Sequence, residues 1–385
     1  MNFVESEERQ ALRKAVFDFG SKYGAEYFTA KARAGEKTTE LWSEAGKLGY
    51  LGVAVPEEFG GGGGGIGDLA AVCEELAAAG SPLLMMVVSP AICATIIARF
   101  GTAEQKQHWL PGFADGTTKM AFAITEPDAG SNSHKLATSI RREGDEWVLN
   151  GRKTYISGVD EADAVLVVAR HVDATGQRLL PSLMIVPTDA AGFEWQPIEM
   201  DIVSPEKQFT LFFDEVHLAA DALVGAPDAG IGQLFAGLNP ERIMAASFST
   251  GLARNAMVRA TEYVKTRKVW GVPIGAHQGL AHPLAQCAVQ IELARLMTQK
   301  AAALYDGGDD KGAGEAANMA KYSAAEAATA TVDQAIQSHG GNGLATEYGL
   351  GALLGASRLG RIAPVSREMI LNYVSQHTLG LPKSY

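Results

Sequence analysis

Hydrophobic rhythm changes twice along this chain, and that double change constrains the fold more than any single residue. From Glu5 to about Phe113 apolar side chains recur at three- and four-residue spacing, the mark of amphipathic helices. Between Lys119 and Val224 that spacing gives way to short branched and aromatic runs, among them Glu146 to Leu149, Lys153 to Ile156, Ala164 to Ala169, Ser182 to Val186 and Phe209 to Phe213. After Asn239 the helical period returns in three long Ala-rich segments, Ile243 to Thr266, Leu284 to Tyr305 and Glu315 to Ser338. These read as an antiparallel bundle, the last helix stopping at Gly340-Gly341. The expected class is α+β and mainly α: an N-terminal helical domain over 1–118, a middle antiparallel β domain (barrel or sandwich) over 119–224, and a C-terminal helical domain over 225–385. A length of 385 residues is too great for one small core.

Local signals refine this outline. Ser6 before Glu7 and Glu8 is a good helix N-cap with acidic residues in the first turn. Asn150-Gly151 between two strand-like runs reads as a hairpin turn. The glycines from 60 to 65 are expected to form a mobile loop, since consecutive glycines cost too much entropy inside a helix. That loop lacks the Lys-Ser/Thr ending of a phosphate loop, and no G-x-G-x-x-G follows a strand, so neither a P-loop nor a Rossmann site is expected.

Charge and cysteine usage exclude further classes. Lys and Arg total 33 against 44 Asp and Glu, a net charge of −11, which argues against nucleic acid or anionic lipid as a partner. Cys73, Cys93 and Cys287 stand far apart, outside any Cys/His cluster with metal spacing, so no metal site is expected. The acidic start, Met1 to Gln10, lacks the basic and apolar regions of an export signal, and the apolar stretches are broken before about 18 residues. The expectation is a cytoplasmic chain that does not span a membrane.

The segment Phe122-Ala123-Ile124-Thr125-Glu126-Pro127-Asp128-Ala129-Gly130-Ser131 opens the β region. Thr125 and Ser131 offer hydroxyls and backbone amides, and Gly130 permits close backbone approach. The segment reads either as a turn capped by Ser and Asp or as a loop against a flavin ring or pyrophosphate. Leu149 to Lys153 and Tyr155-Ile156-Ser157 follow, then Thr266 to Gly271 with His277-Gln278, then Gln337-Ser338-His339-Gly340-Gly341-Asn342-Gly343. Arg267 can make paired charge-assisted bonds to phosphate, and the Gly340-Gly341 backbone can lie against an anion without side-chain obstruction. In this order, across nearly the whole chain, these segments resemble the flavin-binding T-E-P-x-A-G-S, W-I-T, R-x-x-F-G and Q-x-x-G-G-x-G motifs of the acyl-CoA dehydrogenase superfamily.

That resemblance implies FAD, bound by Phe122, Ile124, Thr125, Gly130, Ser131, Tyr155, Ile156, Ser157, Arg267, Trp270, Gln278, Gln337, Gly340, Gly341 and Ser366. In the superfamily the last two motifs reach the cofactor of a neighbouring subunit, so a homotetramer or homodimer is implied, with a hetero-oligomer left open. Ser131 and Arg242 are the implied acyl-CoA contacts. The implied reaction is α,β-dehydrogenation of an acyl-CoA thioester: a carboxylate removes the Cα proton while hydride leaves Cβ for flavin N5, and electrons pass on to an electron-transfer flavoprotein.

Two departures from the pattern stand out. Many relatives carry the base in a Y-E-G-T loop, a fixed distance after Q-x-x-G-G-x-G; the corresponding stretch here is Ala363-Pro364-Val365-Ser366. Pro364 fills the Glu position and Ser366 the Thr position. Proline also lacks the backbone N–H that would help hold the thioester carbonyl, a donor whose loss can cost about a hundredfold in rate. A branch of the superfamily instead carries the base on a helix just before an Arg, and Asn239-Pro240-Glu241-Arg242 stands at that place. Glu241 is the expected base, the alternative being a Glu that serves only a helix start begun by Pro240; Arg242 would orient it or the CoA chain. Glu368 is the reserve candidate. Phe122, Trp270 and Ile243-Met244-Ala245 read either as acyl-pocket lining or as core. Besides an active dehydrogenase, Pro364 leaves open a non-catalytic FAD-binding partner subunit of a hetero-oligomer, and the fold is compatible with a flavin monooxygenase or oxidase.

Overall fold

The computed structural model describes residues 5–383, except Ala174 and Asp228, with only the backbone of Ile231. Helix α1 (Glu7–Ala34) opens as expected, with the Ser6 hydroxyl accepting from Arg9 N at 3.2 Å, and is broken at Gly24, whose φ is 71°. There follow α2 (Thr39–Lys47), α3 (Ile66–Ala78), α4 (Met85–Val88), α5 (Thr95–Phe100) and α6 (Ala103–Asp115). A π turn over Ser89–Ala94 joins α4 to α5. The loop of glycines from 60 to 65 is not the mobile connection expected. Its amides are tied down, Gly62 N to Gly52 O at 3.0 Å, Gly63 N to Val55 O at 2.9 Å and Gly64 N to Val53 O at 2.9 Å. A Cβ on Gly61 would lie 2.1 Å from the Val55 carbonyl, so glycine is needed there for close packing rather than for freedom.

The middle region is one sheet of eight strands: β1 (Met120–Ala123), β2 (Ser139–Glu143), β3 (Glu146–Ser157), β4 (Ala164–Val172), β5 (Arg178–Pro187), β6 (Phe193–Ile198), β7 (Gln208–Leu218) and β8 (Leu223–Val224). The order is β6-β7-β3-β2-β4-β5-β8, with β1 beside β4. Most pairs are antiparallel, but β1 and β2 both run parallel to β4 and share one of its edges end to end, so the sheet is mixed rather than purely antiparallel.

The expected hairpin at Asn150-Gly151 is corrected as well. Those residues lie inside the single strand β3, and the real turn is at Gly144, between β2 and β3. Gly151 sits at a register break against β7 with φ 146°, and a Cβ on it would meet Thr138 Oγ1 at 2.5 Å. The Asn150 side chain reaches across to β7 instead, donating to Glu215 Oε1 at 2.7 Å and accepting from Glu215 N at 3.0 Å. A bulge uses the same residue types as a turn.

The C-terminal region is built on α7 (Gly230–Thr266), α8 (Gln278–Asp306) and α9 (Asp310–His339), with the small hairpin β9 (Lys268–Val269) and β10 (Val272–Pro273) between α7 and α8, and α10 (Leu353–Leu359) and α11 (Arg367–Tyr373) after α9. Buried alanines, among them Ala253, Ala256 and Ala260 on α7 and Ala317, Ala324 and Ala328 on α9, let the long helices pack closely. Helix α7 starts well before the expected Ile243, so Pro240 is interior rather than at a helix start. Leu234 and Ala236 extend the buried face upstream of Pro240, and Asn239 holds that turn by donating to Asp310 O at 3.1 Å. Buried Glu74 and Glu75 on α3 tie the two helical regions together: Glu74 accepts from Arg13 at 2.9 Å, Arg254 at 2.7 Å and Arg295 at 2.8 Å. Among the described residues no helix is long and apolar enough to cross a membrane.

Candidate active site

The turn after β1 is closed by reciprocal backbone bonds, Glu126 N to Ala129 O at 3.2 Å and Ala129 N to Glu126 O at 3.1 Å. The Glu126 side chain points inward and accepts from Ala137 N at 2.6 Å, Thr138 N at 3.0 Å and Lys153 Nζ at 2.9 Å. Burial pushes the Glu126 carboxyl up, but the Lys153 charge and these donors outweigh it and hold the group below the usual carboxylate range. Lys153, wholly buried, also donates to Ile124 O at 2.9 Å, and burial pulls its ammonium down to about 8 against the Glu126 charge. Thr154 N donates to Thr125 O at 2.9 Å. The Thr125 and Tyr155 segments are thereby fastened side by side.

On that frame Gly130 and Ser131 are exposed, and no atom lies within 4 Å of where a Gly130 Cβ would stand. Tyr155 bulges out of β3 at a register break between Lys153 and Ile156, with φ 57° and 59% of its surface exposed. A bulky residue at positive φ is strained, and such strain concentrates at functional sites. The Ser157 hydroxyl pairs with the Gln208 amide at 2.9 Å. Ile156 turns into the sheet core and Phe122 packs beneath the turn, so both side chains belong to the support of this surface. Ile124 is half-buried beside Phe122.

Glu241 lies well inside α7, not at its start, and is half-buried. Among the described residues no donor reaches its carboxylate. Burial pushes it up to about 7, opposed by the charges of Arg242 and Lys321. Glu241 acts electrostatically on Cys93 of the π turn, whose Sγ lies 3.6 Å from Ala121 O. The carboxylate therefore stands close to β1, the strand that leads into Thr125. Arg242 is nine-tenths buried, donates from Nη1 to Asn239 Oδ1 at 3.0 Å, and has an Nε with no partner among the described residues. Ile243 and Met244 are fully buried and form core.

The 363–366 loop is linked to the same group through Lys321. Lys321 Nζ donates to Val365 O. The Ser366 hydroxyl is engaged as the N-cap of α11, accepting from Met369 N at 3.3 Å. Glu368, the reserve base, is exposed and paired with Arg367 at 2.7 Å, which holds it below the usual carboxylate range; nothing in its surroundings suits a general base.

Arg267, Trp270, Gln278, Gln337, Gly340 and Gly341 form a second group at the other end of the bundle. Tyr263 near the end of α7 stacks on His339 at the end of α9, with ring centroids 4.0 Å apart, which brings the two motif segments together. From Glu241 to Arg267 runs about 25 residues of continuous helix, roughly 38 Å at 1.5 Å per residue. Helix α7 thus holds Glu241 and Arg267 far apart within one chain.

This second group is open to a ligand. A Cβ on Gly340 or Gly341 would meet nothing within 4 Å, so the backbone lies open there. The exposed Arg267 guanidinium has no hydrogen-bond or ion-pair partner among the described residues. Trp270 stands at φ 52° with 88% of its surface in solvent, and Gln278 and Gln337 are exposed nearby. Open glycines, an unpaired Arg and a bare indole fit the pyrophosphate and adenine ends of FAD.

Sequence reasoning missed Lys153 as the partner of Glu126, Lys321 beside Glu241, and Asn239 as the clamp on Arg242. For Lys321 a signal existed: it falls in helical phase with Ala317, Ala324 and Ala328, the one charge in that buried stripe.

Comparison with known proteins places the chain in a family. Profiles of the acyl-CoA dehydrogenase family match for its N-terminal domain over residues 6–117, its middle domain over 121–216 and its C-terminal domain over 228–379. The chain is 65% identical over 384 residues to acyl-CoA dehydrogenase FadE12 of Mycobacterium tuberculosis, covering 100% of this chain and 99% of that protein. A glutaryl-coenzyme A dehydrogenase solved with glutaryl-CoA superposes with a TM-score of 0.94 at 30% identity, over 100% of this chain and 98% of that one. A glutaryl-CoA dehydrogenase from Mycobacterium smegmatis, solved with FADH2, superposes with a TM-score of 0.90 at 25% identity, over 99% of this chain and 96% of that one. The chain belongs to the acyl-CoA dehydrogenase family, FAD-dependent oxidoreductases acting on CH–CH groups.

Proposed function

We propose that this chain dehydrogenates an acyl-CoA thioester between Cα and Cβ with Glu241 as the base, and passes the electrons to an electron-transfer flavoprotein. The observation that carries the reading is the Glu241 carboxylate: half-buried, without a donor among the described residues, near Cys93 where it packs on β1, and raised to about 7. A base of that strength takes up a proton near neutral pH and releases it again in the next half-reaction. Bound FAD supplies the acceptor for the Cβ hydride. Thr125, Gly130, Ser131, Tyr155 and Ser157 would hold its ring end, with Ile124, Phe122 and Ile156 supporting them from below. Ser366, already capping α11, would contribute only a shared hydroxyl.

Arg267, Trp270, Gln278, Gln337, Gly340 and Gly341 would hold the pyrophosphate and adenine of a second copy's cofactor, because the two groups lie too far apart in one chain. Such sharing requires a homo-oligomer of two or four chains, each divided into domains at 118/119 and 224/225. Ser131 and Arg242 would contact the acyl-CoA. The unpartnered Arg242 Nε–H supports this, since a buried donor without an acceptor costs about 1–3 kcal/mol unless a ligand supplies one.

Pro364 supports a second reading, an FAD-binding partner subunit that needs another chain for activity, because proline offers no N–H to the thioester carbonyl. Anaerobic mixing of the purified, flavin-loaded protein with saturated acyl-CoA thioesters separates the two. Bleaching of the flavin by one of them, lost in Glu241→Gln, supports the first reading; bleaching that appears only on adding a partner chain supports the second. Oxygen consumption by the reduced protein at a rate matching turnover would point instead to an oxidase or monooxygenase.

A further inference from the structure

We infer that Lys321 is a positioning residue for the Glu241 base: through the Val365 carbonyl it fixes the 363–366 loop against α9, and it keeps a buried positive charge facing the carboxylate. The inference rests on the reading of Glu241 as the base. Lys321 is 1% exposed, in the middle of the Ala-rich face of α9, where an ammonium is costly unless it has work to do. Its hydrogen bond to Val365 O reaches the loop in which Pro364 and Ser366 lie. Among the described residues it makes no direct ion pair, yet Glu241 and Arg242 from α7 and Glu326 and Glu368 from α9 and α11 all act on it.

The groups facing Glu241 are Arg242 from its own helix, Lys321 from α9 and Cys93 from the π turn; Arg242 in turn faces Tyr373 of α11. Cys93 is a thiol held neutral by burial, so the charges near the base are the two cations. Arg242 is a fixed charge clamped by Asn239. Lys321 is different: burial pulls its ammonium down to about 8, close to the Glu241 value, so its charge is the one that titrates within the working range. Below that pH the ammonium lowers the proton affinity of Glu241 and keeps the base ionised near neutrality. Without it, only Arg242 would oppose burial, so the carboxyl would rise further and more of it would be protonated at pH 7.

The test compares Lys321→Met, Lys321→Gln and Lys321→Arg with the unsubstituted, flavin-loaded protein. Two readouts are followed across pH: the rate of flavin bleaching by a saturated acyl-CoA, and the infrared carboxyl band assigned to Glu241 by its absence in Glu241→Gln. Removing the charge should move both midpoints to higher pH by about one unit or more. At high pH the bleaching rate should recover to within a few-fold. Lys321→Gln retains an N–H for Val365 and should show the same displacement, which separates charge from loop anchoring and serves if the methionine variant does not fold. Lys321→Arg should keep the original midpoint. A loss of rate that is equal at every pH, or an unmoved carboxyl band in both neutral variants, overturns the inference. If Glu241→Gln bleaches like the parent, the base assignment fails, while the carboxyl band still reports whether Lys321 sets the proton affinity of Glu241.

Discussion

Lys153 Nζ and Glu126 Oε1 are 2.9 Å apart, and both side chains are sealed from solvent, at 0% and 5% exposure. This pair connects β3 to the turn between β1 and β2, and so fixes the spacing of the Thr125 and Tyr155 segments from below. Replacing Lys153 by Met leaves a buried carboxylate without its cation, a defect that typically costs about 3–5 kcal/mol. Lys153→Met is therefore expected to shift the urea midpoint strongly and to weaken FAD retention, and the double variant Lys153→Met/Glu126→Gln should recover part of the stability. Equal stability of the single and double variants, in parallel denaturation and FAD titrations, would show that the pair is not coupled.

The Glu241 value of about 7 sets a pH dependence. A base must be unprotonated to act, so kcat/KM should rise with pH through about 7 and then level off. Glu241→Gln should lower the rate of flavin bleaching by about 10²–10⁴-fold, the usual worth of a positioned base, with little change in fold. Rates that fall with rising pH between 6 and 8 would assign the chemistry to a group that must be protonated.

Glu206 offers a stability test away from the chemistry. It is buried, accepting from Leu84 N at 3.0 Å and Ser204 Oγ at 2.8 Å, and burial pushes it up to about 7, with Glu161 adding to the rise against the Ser204 bond. Because the folded carboxyl holds its proton more tightly than the unfolded one, its contribution is full at low pH and is lost as pH rises through about 7. A shift of that size is worth on the order of 3 kcal/mol. Glu206→Gln keeps an acceptor for Leu84 and does not ionise, so its melting temperature relative to the parent should climb between pH 5 and pH 8. Glu241 titrates in the same window in both proteins and cancels in the difference.

How much of this was readable beforehand depended on whether a residue's role is local. The rhythm of apolar side chains located the helices and strands because burial on one face is a local periodicity. Thr125 to Ser131, Tyr155 and Gly340-Gly341 could be picked out because backbone shape near a ligand demands particular residue types. Asn150-Gly151 misled because a bulge and a turn ask for the same residues, and the choice was made by Glu215 across the sheet. The start of α7 is not legible because Pro240 reads locally as a first-turn residue, while the bond from Asn239 to the first residue of α9, Asp310, holds the helix together around it. Lys153 and Lys321 were passed over because their partners lie far along the chain, and a lone Lys in a strand or helix ordinarily reaches solvent.

Trp270 combines two costs that an isolated chain has no reason to bear. Its φ of 52° is strained for any residue but glycine, by roughly 1–2 kcal/mol, and 88% of its surface lies in solvent at the tip of the β9–β10 turn beside Gly271, whose φ is 82°. Glycine at position 270 would relieve the strain without disturbing a neighbour, since among the described residues the only ring contact is an edge-on approach to His277 with centroids 5.9 Å apart. If the indole serves a second copy's cofactor, Trp270→Gly should leave the flavin-free chain as stable as before or slightly more stable. The same change should weaken both FAD retention and subunit association. Sedimentation with and without FAD, alongside thermal melts, reads the three quantities together. A variant that associates and keeps FAD like the parent would assign the tryptophan to some other contact.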